Sequence, residues 1–126
     1  MSSQPSGEFD HLSEGEFQSS ILDLVRALGL QAYHTHDSRR SQKGFPDLVI
    51  VGSNGVLYRE LKTMTGVVTE EQKYWLSILQ AAGADVAIWR PNLWPEPITR
   101  DLRALGSITV PKPPYRRARL IQRARR

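Results

Sequence analysis

The sequence predicts an α/β domain, a mixed central sheet flanked by helices, in the order α-β-β-β-α-β-α. Two segments with helical apolar period each open on a capping-box spacing and close on a glycine. Between them lie β-branched and aromatic runs of strand length, two of them joined by four turn residues. A chain of 126 residues, 40% of them hydrophobic, suits one domain around a single core.

Ser13 and Glu16 have the spacing of a capping box, and Phe17, Ile21, Leu24, Val25 and Leu28 then recur with helical period until Gly29. Leu30 to Thr35 reads as a short strand, and the polar, basic stretch from Asp37 to Gly44 as a loop. Asp47 to Val51 and Val56 to Leu61 form the arms of an antiparallel hairpin through Gly52, Ser53, Asn54 and Gly55. Thr69 and Gln72 repeat the capping-box spacing, and Gln72, Trp75, Leu76, Leu79 and Ala82 share one face of a second helix that ends at Gly83. Asp85 to Arg90 is a further strand, and Pro97 fits the first turn of a last helix reaching about Leu105. The expected organisation is a flexible start over residues 1–11, a domain over 12–105, and a Pro- and Arg-rich arm over 106–126.

The absence of cysteine excludes disulfides, zinc knuckles and thiol nucleophiles, and leaves carboxylates, imidazoles and carbonyls as metal ligands. That set favours hard cations such as Mg2+ or Mn2+, and no organic cofactor is expected. No apolar run approaches the roughly 18 residues of a membrane span, so a soluble, cytoplasmic protein without a membrane partner is expected. Lys112 to Arg126 holds seven Lys or Arg and no acid, which leaves ten basic against thirteen acidic residues elsewhere. A basic arm on a mildly acidic body suits a polyanion, although a solvated end gives the same composition.

Glu60 and Lys62, two apart on a strand, project from the same face while Leu61 points the other way. Whether Asp47 joins them depends on the hairpin. A two-residue turn at Ser53 and Asn54 places Asp47 opposite Glu60, and one at Asn54 and Gly55 places it opposite Lys62. Both put it on their face, whereas an odd-length loop without a bulge puts it on the other. Two carboxylates about 5 Å apart repel unless a proton or a cation lies between them. A strand ending in Glu-x-Lys is otherwise commonplace as a solvated ion pair.

The pattern Pro46-Asp47 followed by Glu60-Leu61-Lys62 resembles the PD-(D/E)XK nucleases. It is most similar to their VRR-NUC family, through the opening helix at Glu14 to Gln18, YHTHDSRRSQKGFPDLVIV, the ELK triplet and TEEQKYWLSILQAAGADVAIWRP. The resemblance spans roughly residues 12 to 103 and implies a restriction-endonuclease-like core and a divalent-metal phosphodiesterase acting on DNA. It implies that Asp47, Glu60 and the Leu61 carbonyl bind metal, that Lys62 assists the attacking water, and that a first-helix glutamate and Gln72 complete the site. Of the two glutamates, Glu14 aligns with Phe17, Gln18 and Ile21, and Glu16 with Ser20 and Asp23, so Glu14 takes the metal role and Glu16 the cap. Gln72 is also half of the Thr69 capping box, and the two roles compete for one side chain.

His34, His36, Arg39, Arg40 and Lys43 lie in or beside the loop leading to Asp47 and are candidate phosphate contacts, as are Arg116, Arg117 and Arg119 of the arm. Trp75 and Trp89 are expected to pack rather than stack on bases, and Trp94 is open to either use. Standalone domains of this size in the family resemble virus-encoded junction-resolving enzymes, which implies a homodimer acting on branched DNA. The rivals are a nicking or flap nuclease that needs a partner protein, and a DNA-binding accessory protein without activity.

Overall fold

Ser13 opens the first helix by accepting a hydrogen bond from the Glu16 amide at 3.1 Å, while its own amide donates to the Glu16 carboxylate at 2.9 Å. The computed structural model describes residues 7–35 and 42–109 of the chain. In order they form α1 (Glu14–Ala27), β1 (Gln31–His34), β2 (Leu48–Gly52), β3 (Gly55–Leu61), α2 (Glu70–Ala81), β4 (Asp85–Trp89), a 3-10 turn (Pro91–Leu93) and α3 (Glu96–Leu105). The sheet order is β1-β2-β3-β4, antiparallel through the first three strands and parallel from β3 to β4. The parallel pair requires a crossover, which α2 supplies.

One face of this mixed sheet carries the core. Phe17, Ile21 and Val25 of α1 pack in one cluster with Leu48, Ile50, Leu57, Leu61 and Trp89 of the strands and Ile98, Leu102 and Leu105 of α3. Leu48 and Ile50 alternate with the half-buried Val49 and the exposed Val51, as a strand covered fully on one side must. Arg59 shares this face and is 4% exposed. Its guanidinium lies 5.0 Å over the Trp89 ring and donates to the Asp85 carbonyl at 2.8 Å and carboxylate at 2.9 Å, which ties β3 to the start of β4.

The other face is covered thinly. α2 has its expected apolar stripe, yet none of its residues is fully buried. Trp75 packs edge-on against Phe45 at 5.1 Å, Phe45 meets Tyr58 at 6.3 Å, and Tyr33 on β1 is left 65% exposed. Trp89 is the tryptophan that enters the core, and Trp94 packs half-buried at its margin.

The β2–β3 turn is Ser53-Asn54, because Gly52 pairs with Gly55. It also closes the C-terminus of α3, where carbonyls lack helical partners. The Ser53 amide donates to Gly106 O at 2.9 Å, the Asn54 amide to Leu105 O at 2.8 Å, and the Asn54 side chain to Ala104 O at 3.1 Å. This docking demands glycine at 52, since a Cβ there would come within 2.5 Å of the Leu105 and Gly106 carbonyl oxygens. Gly52→Ala is therefore expected to destabilise the fold by about 1–3 kcal/mol through overpacking. Urea denaturation would show this as a lowered midpoint, and an unchanged midpoint would contradict the docking.

Candidate active site

The β2–β3 ladder decides where Asp47 lies. Leu48 pairs with Arg59, so one further step along the strands places Asp47 opposite Glu60, the register of the Ser53-Asn54 turn. The Asp47 carbonyl accepts from the Thr35 amide at 3.0 Å, and its carboxylate Oδ2 accepts from the Leu61 amide at 2.8 Å. Backbone contacts from both sides thereby hold the aspartate beside β3.

Glu60 is 2% exposed, an unusual place for a carboxylate. Its Oε2 accepts from Gln72 Nε2 at 2.7 Å and lies 3.7 Å from Lys62 Nζ. Its Oε1 is buried and has no hydrogen-bond partner among the described residues. Burial, reinforced by the negative charge of Asp47 and opposed by Lys62, pushes the Glu60 carboxyl from its ordinary 4.5 up to about 8. Asp47 is also raised by burial, against the pull of the Leu61 amide, the Glu60 hydrogen bond and Lys62. Burial and the facing Asp47 charge thus favour the protonated form of Glu60 around neutral pH.

Glu14, at the start of α1, belongs to the same electrostatic group although its side chain is largely exposed. Its carboxyl is raised first by desolvation, then by the charge of Asp47, with Lys62 opposing, and it raises Glu60 in turn. Glu16 is spent on the Ser13 capping box. Among the described residues no three His, Asp or Glu side chains come together closely enough to hold a metal ion, and the tie of Glu14 to the Asp47–Glu60 pair is electrostatic. The pair itself fits a hard divalent cation: opposed oxygen donors, and a buried Oε1 without a hydrogen-bond partner among the described residues.

Gln72 corrects one expectation, that capping and the site compete for its side chain. The amide divides between them: Oε1 accepts from the Thr69 amide at 2.9 Å, completing the capping box, and Nε2 donates to Glu60. The cap thus fixes the group that orients the buried glutamate. Gly44, at φ +95°, lets the incoming loop lie on the first turn of α2, because a Cβ there would be 2.5 Å from the Glu71 backbone.

A hollow of about 420 Å³ opens beside Asp47, lined by Thr35, Lys43, Gly44, Thr69 and Gln72 among others. The exposed Lys43 is on its rim. His34 pairs with Leu48, on the sheet face opposite Asp47 by strand alternation. His36, Arg39, Arg40, Arg116, Arg117 and Arg119 lie outside the described residues. A larger hollow of about 560 Å³ lies at the other end of β3, beside Arg59, Asp85 and Asp101, away from the carboxylates. Sequence reasoning passed over Arg59 and Arg90. Arg59 carried a signal, a charge at an inward position between Leu57 and Leu61; Arg90, just past a strand, carried none.

The VRR-NUC domain family matches the chain over residues 3–91. A solved structure described as a VRR_NUC domain protein superposes with a TM-score of 0.59 at 19% identity, covering 78% of this chain and 93% of the other, and shows the same fold. No curated protein matches.

The carboxyl pair predicts a pH dependence of stability. Folded Glu60 keeps its proton to about pH 8 whereas the unfolded chain releases it near 4.5, so the folded state binds the extra proton between those values. Its contribution is complete below pH 4.5 and is lost as pH rises through 8; the raised Asp47 and Glu14 act in the same sense. In a chelator the melting temperature should fall between pH 5 and 8, and Glu60→Gln should flatten the slope. A melting temperature that rises over that range in the wild type would refute the protonated Glu60.

Proposed function

The chain belongs to the VRR-NUC domain family, nucleases of the PD-(D/E)XK type, and from that premise we propose that it is a divalent-metal-dependent DNA endonuclease with its reaction centre at Asp47, Glu60 and Lys62. The observation that carries this reading is the buried Glu60, whose Oε1 has no hydrogen-bond partner among the described residues while Asp47 faces it and Lys62 Nζ stands 3.7 Å from Oε2.

Asp47, Glu60 and the Leu61 carbonyl would hold Mg2+ or Mn2+, with Glu14 adding negative charge behind them. A divalent cation, when bound, supplies Lewis acidity to a phosphate and makes a nearby water more acidic. The chain's own groups do the rest. Lys62 sets a positive charge where a phosphodiester accumulates negative charge, or orients the attacking water from the same position. Gln72 holds Glu60 in one rotamer, so the carboxylate does not reorganise as the reaction proceeds. Lys43 on the rim of the hollow would meet the phosphate backbone, together with Arg39 and Arg40 shortly before it in the sequence.

The substrate is DNA, and the finer reading is branched DNA cut by a homodimer, since two sites related by a twofold axis suit the two symmetric strands of a four-way junction. The arm from Lys112 onward, with Arg116, Arg117 and Arg119, adds sequence-independent affinity through phosphate contacts.

Asp47→Ala and Lys62→Ala should each lower cleavage by at least about a hundredfold, the scale of losing one preorganised charge, while folding and DNA affinity in Ca2+ persist. Cleavage at wild-type rate in both would falsify the assignment. A panel of labelled four-way junctions, flaps, nicked and plain duplexes decides the substrate, and preference for flaps over junctions would replace the resolving reading. Deleting residues 112–126 should weaken binding and reduce its salt slope by about 0.9 for each phosphate that the arm neutralises. An unaltered slope leaves the arm without this role.

A further inference from the structure

Arg90 follows β4 and is half-buried, and a single one of its nitrogens is committed to the loop that follows the Glu60-Leu61-Lys62 triplet. Arg90 Nη1 donates to Thr63 O at 2.7 Å and Gly66 O at 2.8 Å, with a longer contact of 3.5 Å to Met64 O. The loop closes on itself through the Gly66 amide, which donates to Thr63 O at 3.3 Å. Several carbonyl dipoles of one short loop thereby converge on one cation, a charge-assisted arrangement stronger than the turn's own amide bond.

This loop covers Lys62. A Cβ at Gly66 would lie 3.3 Å from Lys62 Cδ and 3.1 Å from Thr63 Oγ1, so the glycine backbone rests against the lysine stem, and the Lys62 side chain is 12% exposed. The Lys62 amide in turn donates to Trp89 O at 3.1 Å, one residue before Arg90. The end of β4 therefore holds the lysine twice, directly at its backbone and through the loop at its stem.

We propose that Arg90 is a positioning residue for Lys62, fixing the 63–66 loop over the lysine stem so that the ammonium stays beside Glu60. The inference rests on the nuclease reading above. Lysine is a flexible four-carbon chain with a compact charge, and its value at a reaction centre depends on being held in one place. Arginine suits the anchor because it stays charged and presents its donors from a planar fork. Through Nη1 and the loop carbonyls, Arg90 acts on the reaction by way of Lys62.

The test uses the full chain and whichever DNA form it cleaves fastest in Mg2+ or Mn2+. Arg90→Met, similar in length but without donors, should lower kcat roughly tenfold to a hundredfold, the scale of a displacement of about 1 Å, with KM and DNA affinity in Ca2+ within about twofold. Hydrogen exchange should quicken at residues 63–66, and Arg90→Lys should restore part of the missing kcat. Should Arg90→Met fail to fold, Gly66→Ala strikes the same contact from the loop side and is expected to lower kcat with KM kept. An unchanged kcat in the folded variant beside an active wild type overturns this role alone, and a rise in KM alone reassigns Arg90 to substrate contact and overturns it equally. A wild type that cleaves no DNA form removes the nuclease reading and this role with it.

Discussion

The whole site depends on a turn of two residues. Strand side chains alternate with a period of two, so the number of residues between Gly52 and Gly55 decides whether Asp47 faces Glu60 or the hydrophobic core. The fold does not leave that number to turn propensity alone. Ser53 and Asn54 present their amides to the last carbonyls of α3, and the Ser53 hydroxyl reaches Ser107 O at 2.6 Å. A longer turn would forgo those partners and leave the helix end unsatisfied. Hydrogen bonds at one end of the sheet thus set the chemistry at the other.

The two faces of the sheet divide the tasks. α1 and α3 cover one face with a continuous apolar cluster, and the buried Leu48, Ile50 and Leu57 supply the burial that stabilises the fold. The second face carries Asp47 and Glu60, and among the described residues the helix above it is α2, which has no fully buried residue. Placing two acids among apolar side chains alone would cost several kcal/mol per ion without relief, whereas on this face the buried Glu60 meets Gln72 and Lys62 and a hollow lies beside Asp47.

Much of this was legible in the chain because it follows from local rules. Capping boxes at Ser13 and Thr69, glycines after each helix and the Gly-Ser-Asn-Gly turn marked out the element order, and alternation put Glu60 and Lys62 on one face. The choice between two turn registers was not legible, since it is made by α3, some fifty residues away. Nor was the thin cover over α2: its stripe of Trp75, Leu76 and Leu79 has the periodicity of a buried helix, and periodicity reports orientation, not depth. His34 is a further case: nearness in sequence to Asp47 made it a candidate phosphate contact, and its pairing with Leu48 puts it on the other face of the sheet.

Gln72 shows why a cap and a site residue need not be alternatives. A carboxylate in the third helical position, as at Glu16, can only accept, so its contact ends with the cap. An amide accepts at one end and donates at the other, and the helix start that consumes Oε1 leaves Nε2 aimed at the acceptor it can serve, Glu60 Oε2. Glutamate at 72 would cap equally well but would bring a further negative charge beside a carboxyl whose ionisation burial and Asp47 already oppose. The difference between the two capping boxes of this chain, Glu in α1 and Gln in α2, is thus accounted for by what lies beyond each: solvent in one case, a buried carboxyl in the other.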